Sequence, residues 1–292
     1  MNVLSLFDGM SCGQIALNRV GIKYTNYYAS EIDKNAIFIA QKNYSNTIQL
    51  GDITKLKYSN GILYSENNEF KVGKIDLIIG GSPCQSFSNS GKKEGFNGKS
   101  GLFYEYVRLL KEINPTYFLL ENVKMKKEWK DKISEELNVN PIEINSSLVS
   151  CQNRPRLYWT NIKNITQPED KNIYLKDIID FNINGDDSCF TETFLKSDIN
   201  FDSDKNQINE NVKYQWQGVY TKKMKTINLG DGNRNYIYFP NIGVRKLTIN
   251  EIEKCQTLPI DYTSGVSVTN RIKMIGNGWT VDVISHILKN IK

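Results

Sequence analysis

The sequence predicts an α/β fold: a sheet of buried strands with helices between them. Three observations predict it. Short runs of apolar, β-branched and aromatic residues recur at Asn2–Leu6, Tyr24–Ser30, Thr47–Leu50, Ile75–Ile79 and Tyr117–Leu120, the length and composition of buried strands. Helical spacing follows several of them, at Gln14–Val20, Lys34–Tyr44 and Gly101–Leu110. Glycine or an acidic residue stands just past the strand ends, at Gly9, Glu31, Asp52, Gly80 and Gly81. In a doubly wound sheet that edge is where ligands bind.

The chain has 292 residues, enough for one large domain or a domain and a half with a sizeable core. Its 37 basic and 32 acidic residues leave a net charge of +5, which permits a polyanionic partner without demanding one. Five cysteines without C-x-x-C spacing argue for a reducing compartment, against a disulfide framework and against a metal site. The single histidine, His286, excludes mechanisms that need several and reads as a structural residue of the last helix. The apolar start Val3–Phe7 is too short for a signal peptide and meets Asp8. No apolar run spans a membrane, so a cytoplasmic protein without a membrane partner is expected. Abundant Asn, Lys and Ile suggest an AT-rich, bacterial or phage gene.

In the first strand–turn–helix unit, glycine lets backbone approach a ligand and the helix start offers free N–H groups. The turn Phe7-Asp8-Gly9-Met10-Ser11-Cys12-Gly13 lacks the full G-x-G-x-x-G, so a phosphate cradle is not indicated. Glu31, about twenty residues past the glycine turn, is placed to accept from ribose hydroxyls. Asp33 is expected to cap the next helix, and Asp52 to accept from an adenine amino group. After Ile75–Ile79 comes Gly80-Gly81-Ser82-Pro83-Cys84-Gln85-Ser86-Phe87-Ser88. A cysteine behind a rigid proline just past a strand end is fixed yet reachable, as a nucleophile must be. Ser86–Gly101 is polar and glycine-rich and reads as a loop able to close over a substrate.

Further along, Glu121 ends the Tyr117–Leu120 strand, and Lys124–Leu137 reads as a solvated helix. Pro141–Asn145 is a strand, followed by Gln152-Asn153-Arg154-Pro155-Arg156 before another. Asp180–Asn211, rich in Asp, Asn and Ser, reads as loops and a linker. Tyr214–Ile227 mixes aromatics, amides and lysines, and Asn228–Tyr238 adds glycines and Arg234 in a loop suited to a major groove. A helix is expected over Ile249–Gln256, then a Gly276-Asn277-Gly278 turn opening a last helix, Val281–Ile291, that packs beside the first strand.

These segments resemble the cytosine-5 DNA methyltransferases. Leu6-Phe7-Asp8-Gly9, Ser30-Glu31, Gly51-Asp52 and Gly81-Ser82-Pro83-Cys84 resemble the family's first four motifs, and the first turn of Gly101–Leu110 its fifth. Glu121-Asn122-Val123 resembles its Glu-Asn-Val, Gln152–Arg156 its eighth motif, Arg245–Pro259 its ninth and Met274–Val281 its tenth. Thr226-Ile227 looks like its Thr-Leu recognition pair. The Phe-Asp-Gly form and Trp279 look closest to the de novo branch and its bacterial and phage relatives, and only about Asn161–Lys213 is unmatched.

The resemblance implies a Rossmann-like S-adenosylmethionine-dependent methyltransferase sheet with a small target-recognition domain. Residues 1–161 would be catalytic and cofactor-binding, 162–244 the recognition region, and 245–292 a return to the catalytic domain. It implies methyl transfer from S-adenosylmethionine, leaving S-adenosylhomocysteine, to C5 of a flipped-out cytosine in a short duplex sequence. Cys84 would be the nucleophile at C6, Glu121 the group at N3, and Arg154 and Arg156 the stabilisers of adduct and thiolate. The cofactor residues would be Phe7, Asp8, Gly9, Ser11, Cys12, Glu31, Ile32, Asp52, Ile53, Pro83, Leu102, Asn277, Gly278 and Trp279. Gln85, Ser88, Asn89, Ser90, Lys92, Lys225, Thr226 and Arg234 would meet DNA. The implied partners are double-stranded DNA and a cognate restriction endonuclease, with the enzyme a monomer. Two alternatives stand beside this: a tRNA cytosine-5 methyltransferase of the same fold, for which Cys189-Phe190-Thr191 speaks, and a catalytically inactive DNA-binding relative.

Overall fold

The computed structural model describes residues 1–83, 99–180, 201–202, 207–208, 217–218, 223–227, 236–239 and 243–292. Cys84, Gln85, Ser88, Asn89, Ser90, Lys92, Cys189 and Arg234 lie outside the described residues, and Lys225 is described in its backbone only. The chain forms two compact units. The first comprises Met1–Asn145, Pro155–Pro168 and Val281–Lys292, and the second Ser146–Arg154 and Glu169–Thr280.

The first unit opens with β1 (Asn2–Leu6), α1 (Cys12–Arg19), β2 (Asn26–Ser30), α2 (Lys34–Asn43) and β3 (Ile48–Gln49). A small antiparallel sheet follows, β4 (Lys57–Ser59), β5 (Ile62–Tyr64) and β6 (Glu69–Lys71). Then come β7 (Leu77–Gly81), α3 (Phe103–Ile113), β8 (Tyr117–Val123), α4 (Lys127–Leu137) and β9 (Ile142–Asn145). After β10 (Gln152–Asn153), which belongs to the second unit, β11 (Pro155–Thr160) completes a seven-stranded sheet. Its order is β3-β2-β1-β7-β8-β11-β9. β11 runs antiparallel to both its neighbours, and the other pairings are parallel. The order reverses between β1 and β7, so the carboxyl ends of those strands flank the crevice where such sheets bind ligands.

Most central strand residues are buried, which is why they read as continuous apolar runs rather than alternating ones. A core of Leu4, Leu6, Ile78, Phe103, Tyr106, Leu109, Leu120 and Trp159 lies in this sheet and in α3. Gly80 is set by packing. A Cβ there would stand 2.8 Å from Leu6 O and 3.0 Å from the Tyr106 ring. α2 starts where Asp33 caps it, as expected, accepting from Asn35 N at 2.9 Å and Ala36 N at 3.4 Å.

The second unit holds β10, the short strands β12 (Phe201–Asp202), β13 (Gln207–Ile208), β14 (Gln217–Gly218), β15 (Met224–Lys225), β16 (Tyr236–Phe239) and β17 (Gly243–Lys246), and helices α5 (Ile249–Cys255) and α6 (Val268–Asn277). β10 pairs in parallel with β15, and β16 lies between β14 and β17. Thr248 and Glu251 form a capping box at the start of α5.

Two expectations are corrected here. Gly276 and Asn277 are not a turn opening the last helix. They end α6, which Ser267 caps and which buries Ile272, Met274 and Ile275 on a helical stripe. α7 (Val281–Leu288) packs on α1, not beside β1, tied by an Arg19–Asp282 ion pair at 2.6 Å. In the compact units, residues 169–280 group together and Val281–Lys292 belongs with the first unit. His286 Nε2 meets Thr166 O at 2.7 Å. No helix among the described residues is long and apolar enough to cross a membrane, and no group of three or more His, Cys, Asp or Glu among them could hold a metal.

Gly80→Ala is expected to destabilise the fold by about 1–3 kcal/mol, because the Leu6 carbonyl is backbone and cannot swing aside. Urea unfolding checks this: the midpoint should fall at constant slope, and an unchanged midpoint would mean β7 shifts freely.

Candidate active site

The turn after β1 is held in an unusual shape. Phe7, Gly9 and Ser11 all have positive φ, at 58°, 59° and 67°. Glycine adopts this freely, but Phe and Ser are strained there and need outside support. Glu31 supplies it. Its Oε2 accepts from Gly9 N at 2.8 Å, and its Oε1 accepts from Ile32 N at 2.7 Å and Asp33 N at 2.9 Å. One carboxylate thus joins the β1 turn to the end of β2. Asp8 N adds a bond to Ser30 O at 3.1 Å.

Below this turn lies a polar network. Gln14 donates to Ser11 Oγ and Thr47 Oγ1, both at 2.8 Å, and accepts from Tyr24. Tyr27 donates its hydroxyl to Asp8 Oδ1 at 2.8 Å. Asp8 Oδ2 and Ser5 Oγ are buried and meet no hydrogen-bond partner. Burial pushes the Asp8 carboxyl up to about 6, against the pull of the nearby Ser5, Tyr27 and Ser11 hydroxyls.

The other expected cofactor residues divide between the units. Ile32, beside Glu31, is 71% exposed. Asp52 caps the turn Ile53–Lys55, accepting from Thr54 N at 2.9 Å, and Ile53 is buried in the core. Cys12 is buried in the first turn of α1, which begins two residues earlier than expected. Leu102 packs against the core ahead of α3. Asn277, Gly278 and Trp279 belong to the second unit.

Further along the same edge of the sheet, Gly81 pairs with Glu121 across β7 and β8, and Tyr158 of β11 pairs with Glu121 on the other side. Arg156, two residues back along antiparallel β11, reaches Glu121 Oε1 with Nε at 3.1 Å. Both side chains are mostly buried, at 14% and 12% exposed. Asn122, buried, donates from Nδ2 to Ser82 Oγ at 3.0 Å and Ser82 O at 3.3 Å. It thereby fixes Ser82, just past the end of β7.

Arg154 is placed differently. It lies in the second unit, 4% exposed, with Nη2 donating to Gly276 O at 2.9 Å and Gly278 O at 3.0 Å. It thus serves the orphan carbonyls at the end of α6. Thr226 donates from Oγ1 to Asn153 O at 2.8 Å, and Ile227 N donates to Gln152 Oε1 at 3.0 Å. Lys223 binds Ser147 O and Ile173 O. These contacts hold the Thr-Ile segment to the Gln152–Arg154 segment within the second unit. The sequence pointed to Gln152 and Asn122 only as neighbours of Arg154 and Glu121, and gave no signal for Tyr27 or Lys223.

The geometry defines the chain as an α/β protein with a topological switch point between β1 and β7, the place where sheets of this kind take ligands. Comparison with known proteins settles the lineage: the chain belongs to the C-5 cytosine-specific DNA methylase family, whose profile matches residues 1–292. It is 29% identical over 322 residues to the Type II methyltransferase M.Bsp6I of Bacillus sp. (strain RFL6), covering 100% of this chain and 98% of that protein. It is 28% identical over 320 residues to the Type II methyltransferase M1.ScrFI of Lactococcus lactis subsp. cremoris, covering 99% and 77%. Among solved structures, the fold resembles S. pombe Dnmt2 methyltransferase, with a TM-score of 0.70 at 17% identity over 99% of this chain and 97% of that one. It equally resembles the Entamoeba histolytica methyltransferase EhMeth, with the same TM-score, identity and coverage.

Asp8 gives a pH test. A carboxyl whose folded pKa is raised from 3.8 to about 6 favours folding while protonated. That stability is fully present below about pH 4 and is lost as pH rises through 6. The loss is about 3 kcal/mol, and Asp8→Asn should abolish it. The difference between wild-type and variant urea stabilities across pH 4–7 measures it. A flat difference would show the Asp8 carboxyl to be well solvated.

Proposed function

We propose that the protein is an S-adenosylmethionine-dependent DNA cytosine-5 methyltransferase that acts on a flipped-out cytosine in a short duplex sequence. The observation that carries this reading is the Glu121–Arg156 pair set beside Gly81, one strand from the segment that Asn122 fixes ahead of Cys84.

The turn after β1 fits the cofactor. Asp8 Oδ2 is a buried acceptor without a partner, suited to a cationic amino group, in a turn where Gly9 lets backbone come close. Ile32, exposed next to Glu31, offers an apolar face for a purine. When bound, S-adenosylmethionine supplies an electrophilic methyl group.

The chain's own residues prepare the base. Cytosine C5 is a weak nucleophile. Addition of the Cys84 thiolate to C6 breaks the 5,6 double bond and places electron density on C5. Glu121 holds or protonates N3 and so favours that addition. The Arg156 guanidinium holds Glu121 in place and stabilises the adduct and the thiolate. Arg154, engaged with the carbonyls of Gly276 and Gly278, supports the same Gln-x-Arg-x-Arg segment from the second unit. After methyl transfer, loss of the C5 proton to water reforms the double bond and expels Cys84. The loop bearing Gln85, Ser88, Asn89, Ser90 and Lys92, and the recognition residues Lys225, Thr226 and Arg234, are the proposed DNA contacts. Two relatives named Type II methyltransferases support a role in restriction–modification with a cognate endonuclease, and a cytoplasmic monomer is proposed.

Conversion sequencing of unmethylated genomic DNA after incubation with protein and S-adenosylmethionine tests the function. Protected cytosines in one sequence context are expected, absent with Cys84→Ala. No protection by wild-type protein would sink the reading, and methylation by Cys84→Ala would sink the covalent mechanism. Glu121→Gln should lower kcat by about 10²–10⁴ with little effect on DNA binding. Equal losses in kcat and in DNA affinity would make Glu121 a structural residue instead.

A further inference from the structure

Tyr27 sits in β2, 2% exposed, and by position reads as a core residue. Its ring packs against Tyr24 with centroids 5.6 Å apart, and phenylalanine would make the same packing. The hydroxyl therefore needs another reason, because a buried phenol beside a buried carboxylate carries a desolvation cost. Gly13, in the first turn of α1, leaves room for both the phenol and Ile79: a Cβ there would meet the Ile79 Cδ1 methyl and lie 2.7 Å from the Tyr27 hydroxyl. The phenol donates to Asp8 Oδ1, and Asp8 Oδ2 remains buried and without a partner in the strained turn.

We propose that Tyr27 is a positioning residue for the amino-acid end of the cofactor: its hydroxyl holds Asp8 through Oδ1 and leaves Oδ2 as the acceptor for the ligand's cationic amino group. The inference rests on the cofactor reading given above. The ionisable groups facing Asp8 are Tyr27 and Tyr24 from the β2 side, and Glu31 at the end of β2. Burial keeps both phenols neutral well past the range in which Asp8 ionises. Glu31 is held by three backbone N–H groups whatever stands at position 27. Asp8 is thus the group through which a change at Tyr27 is read.

The test is calorimetric binding of two ligands to the full chain, S-adenosylhomocysteine and 5′-methylthioadenosine. They share the adenosine, but the second lacks the amino acid. Tyr27→Phe should weaken S-adenosylhomocysteine about tenfold, the worth of one buried hydrogen bond, and 5′-methylthioadenosine less than twofold. In wild type, the preference for S-adenosylhomocysteine should grow as pH rises through the ionisation of Asp8. In Tyr27→Phe that rise should move to higher pH, because the phenol stabilises the ionised carboxylate. Asp8→Asn, a second variant in case the first folds poorly, should lose the preference and its pH dependence. Equal weakening of both ligands, or an unchanged preference, would make Tyr27 a purely structural residue and overturn the proposal. If wild type prefers S-adenosylhomocysteine but Tyr27→Phe keeps that preference and its pH dependence unchanged, only the role of Tyr27 falls. If wild type binds neither ligand, the cofactor reading falls with it.

Discussion

The carboxylate of Glu31 is the constraint on which the ligand edge depends. It accepts three backbone N–H groups, from Gly9 in the turn after neighbouring β1 and from Ile32 and Asp33 beside it. Without it, Phe7 and Ser11 have no reason to hold left-handed backbone, which costs each of them on the order of 1–3 kcal/mol. The bond from Gly9 N to this charged acceptor is worth roughly twice a neutral one and offsets part of that strain. The turn it shapes brings Asp8 down onto Tyr27 and leaves one carboxylate oxygen unused. Strain, buried charge and a missing partner occur together here, as they do where a fold has been shaped for a ligand rather than for stability.

The second half of the edge follows from strand register. Parallel pairing of β7 with β8 sets Gly81 against Glu121, and the antiparallel return of β11 brings Arg156 back toward the same carboxylate. A parallel β11 would arrive from the other direction and carry the arginine away from the strand end. Gly80 allows this register, because Tyr106 and the Leu6 carbonyl occupy the space where any side chain would stand. Asn122 then transmits the position of β8 to Ser82. Sheet geometry, not a loop, therefore fixes the chain just before the proposed nucleophile. That suits a reaction in which small displacements are costly.

The fold was largely legible in the sequence because buried parallel strands announce themselves as apolar runs, and strand-end acids mark a crevice by position alone. β1, β2, α2 and β8 begin within about two residues of their expected starts. Two features escaped for identifiable reasons. The sheet of β4, β5 and β6 is made of three-residue strands, too short for a period-2 pattern to register. The Gly276-Asn277-Gly278 triplet carries turn chemistry, yet burial of Ile272 and Ile275 draws Gly276 and Asn277 into α6, and only Gly278 ends it. At the site, Glu31 and Glu121 were readable because an acid just past a buried strand stands on the edge where such sheets take ligands. Tyr27 was not, because a tyrosine in a buried strand looks like any other aromatic until its hydroxyl is given a partner.

Arg154 and Arg156 show how far a motif can and cannot carry an argument. Two residues apart, they read alike in sequence, two cations beside a polar edge. The structure divides them at Pro155, where one compact unit gives way to the other. Arg156 has a carboxylate partner in Glu121. Arg154 is buried deeper and gives its Nη2 to the two carbonyls that the end of α6 leaves open. Within the second unit, Gln256 donates to Ile275 O near the same helix end and accepts from Thr280, which also accepts from Ser146. The segment Ser146–Arg154 is thereby bound on one side to the end of α6 and on the other, through Gln152 and Asn153, to the Thr226-Ile227 segment. A guanidinium so placed ties its own segment to the end of α6. Identical charges two positions apart thus have separate physical tasks, and only their partners distinguish them.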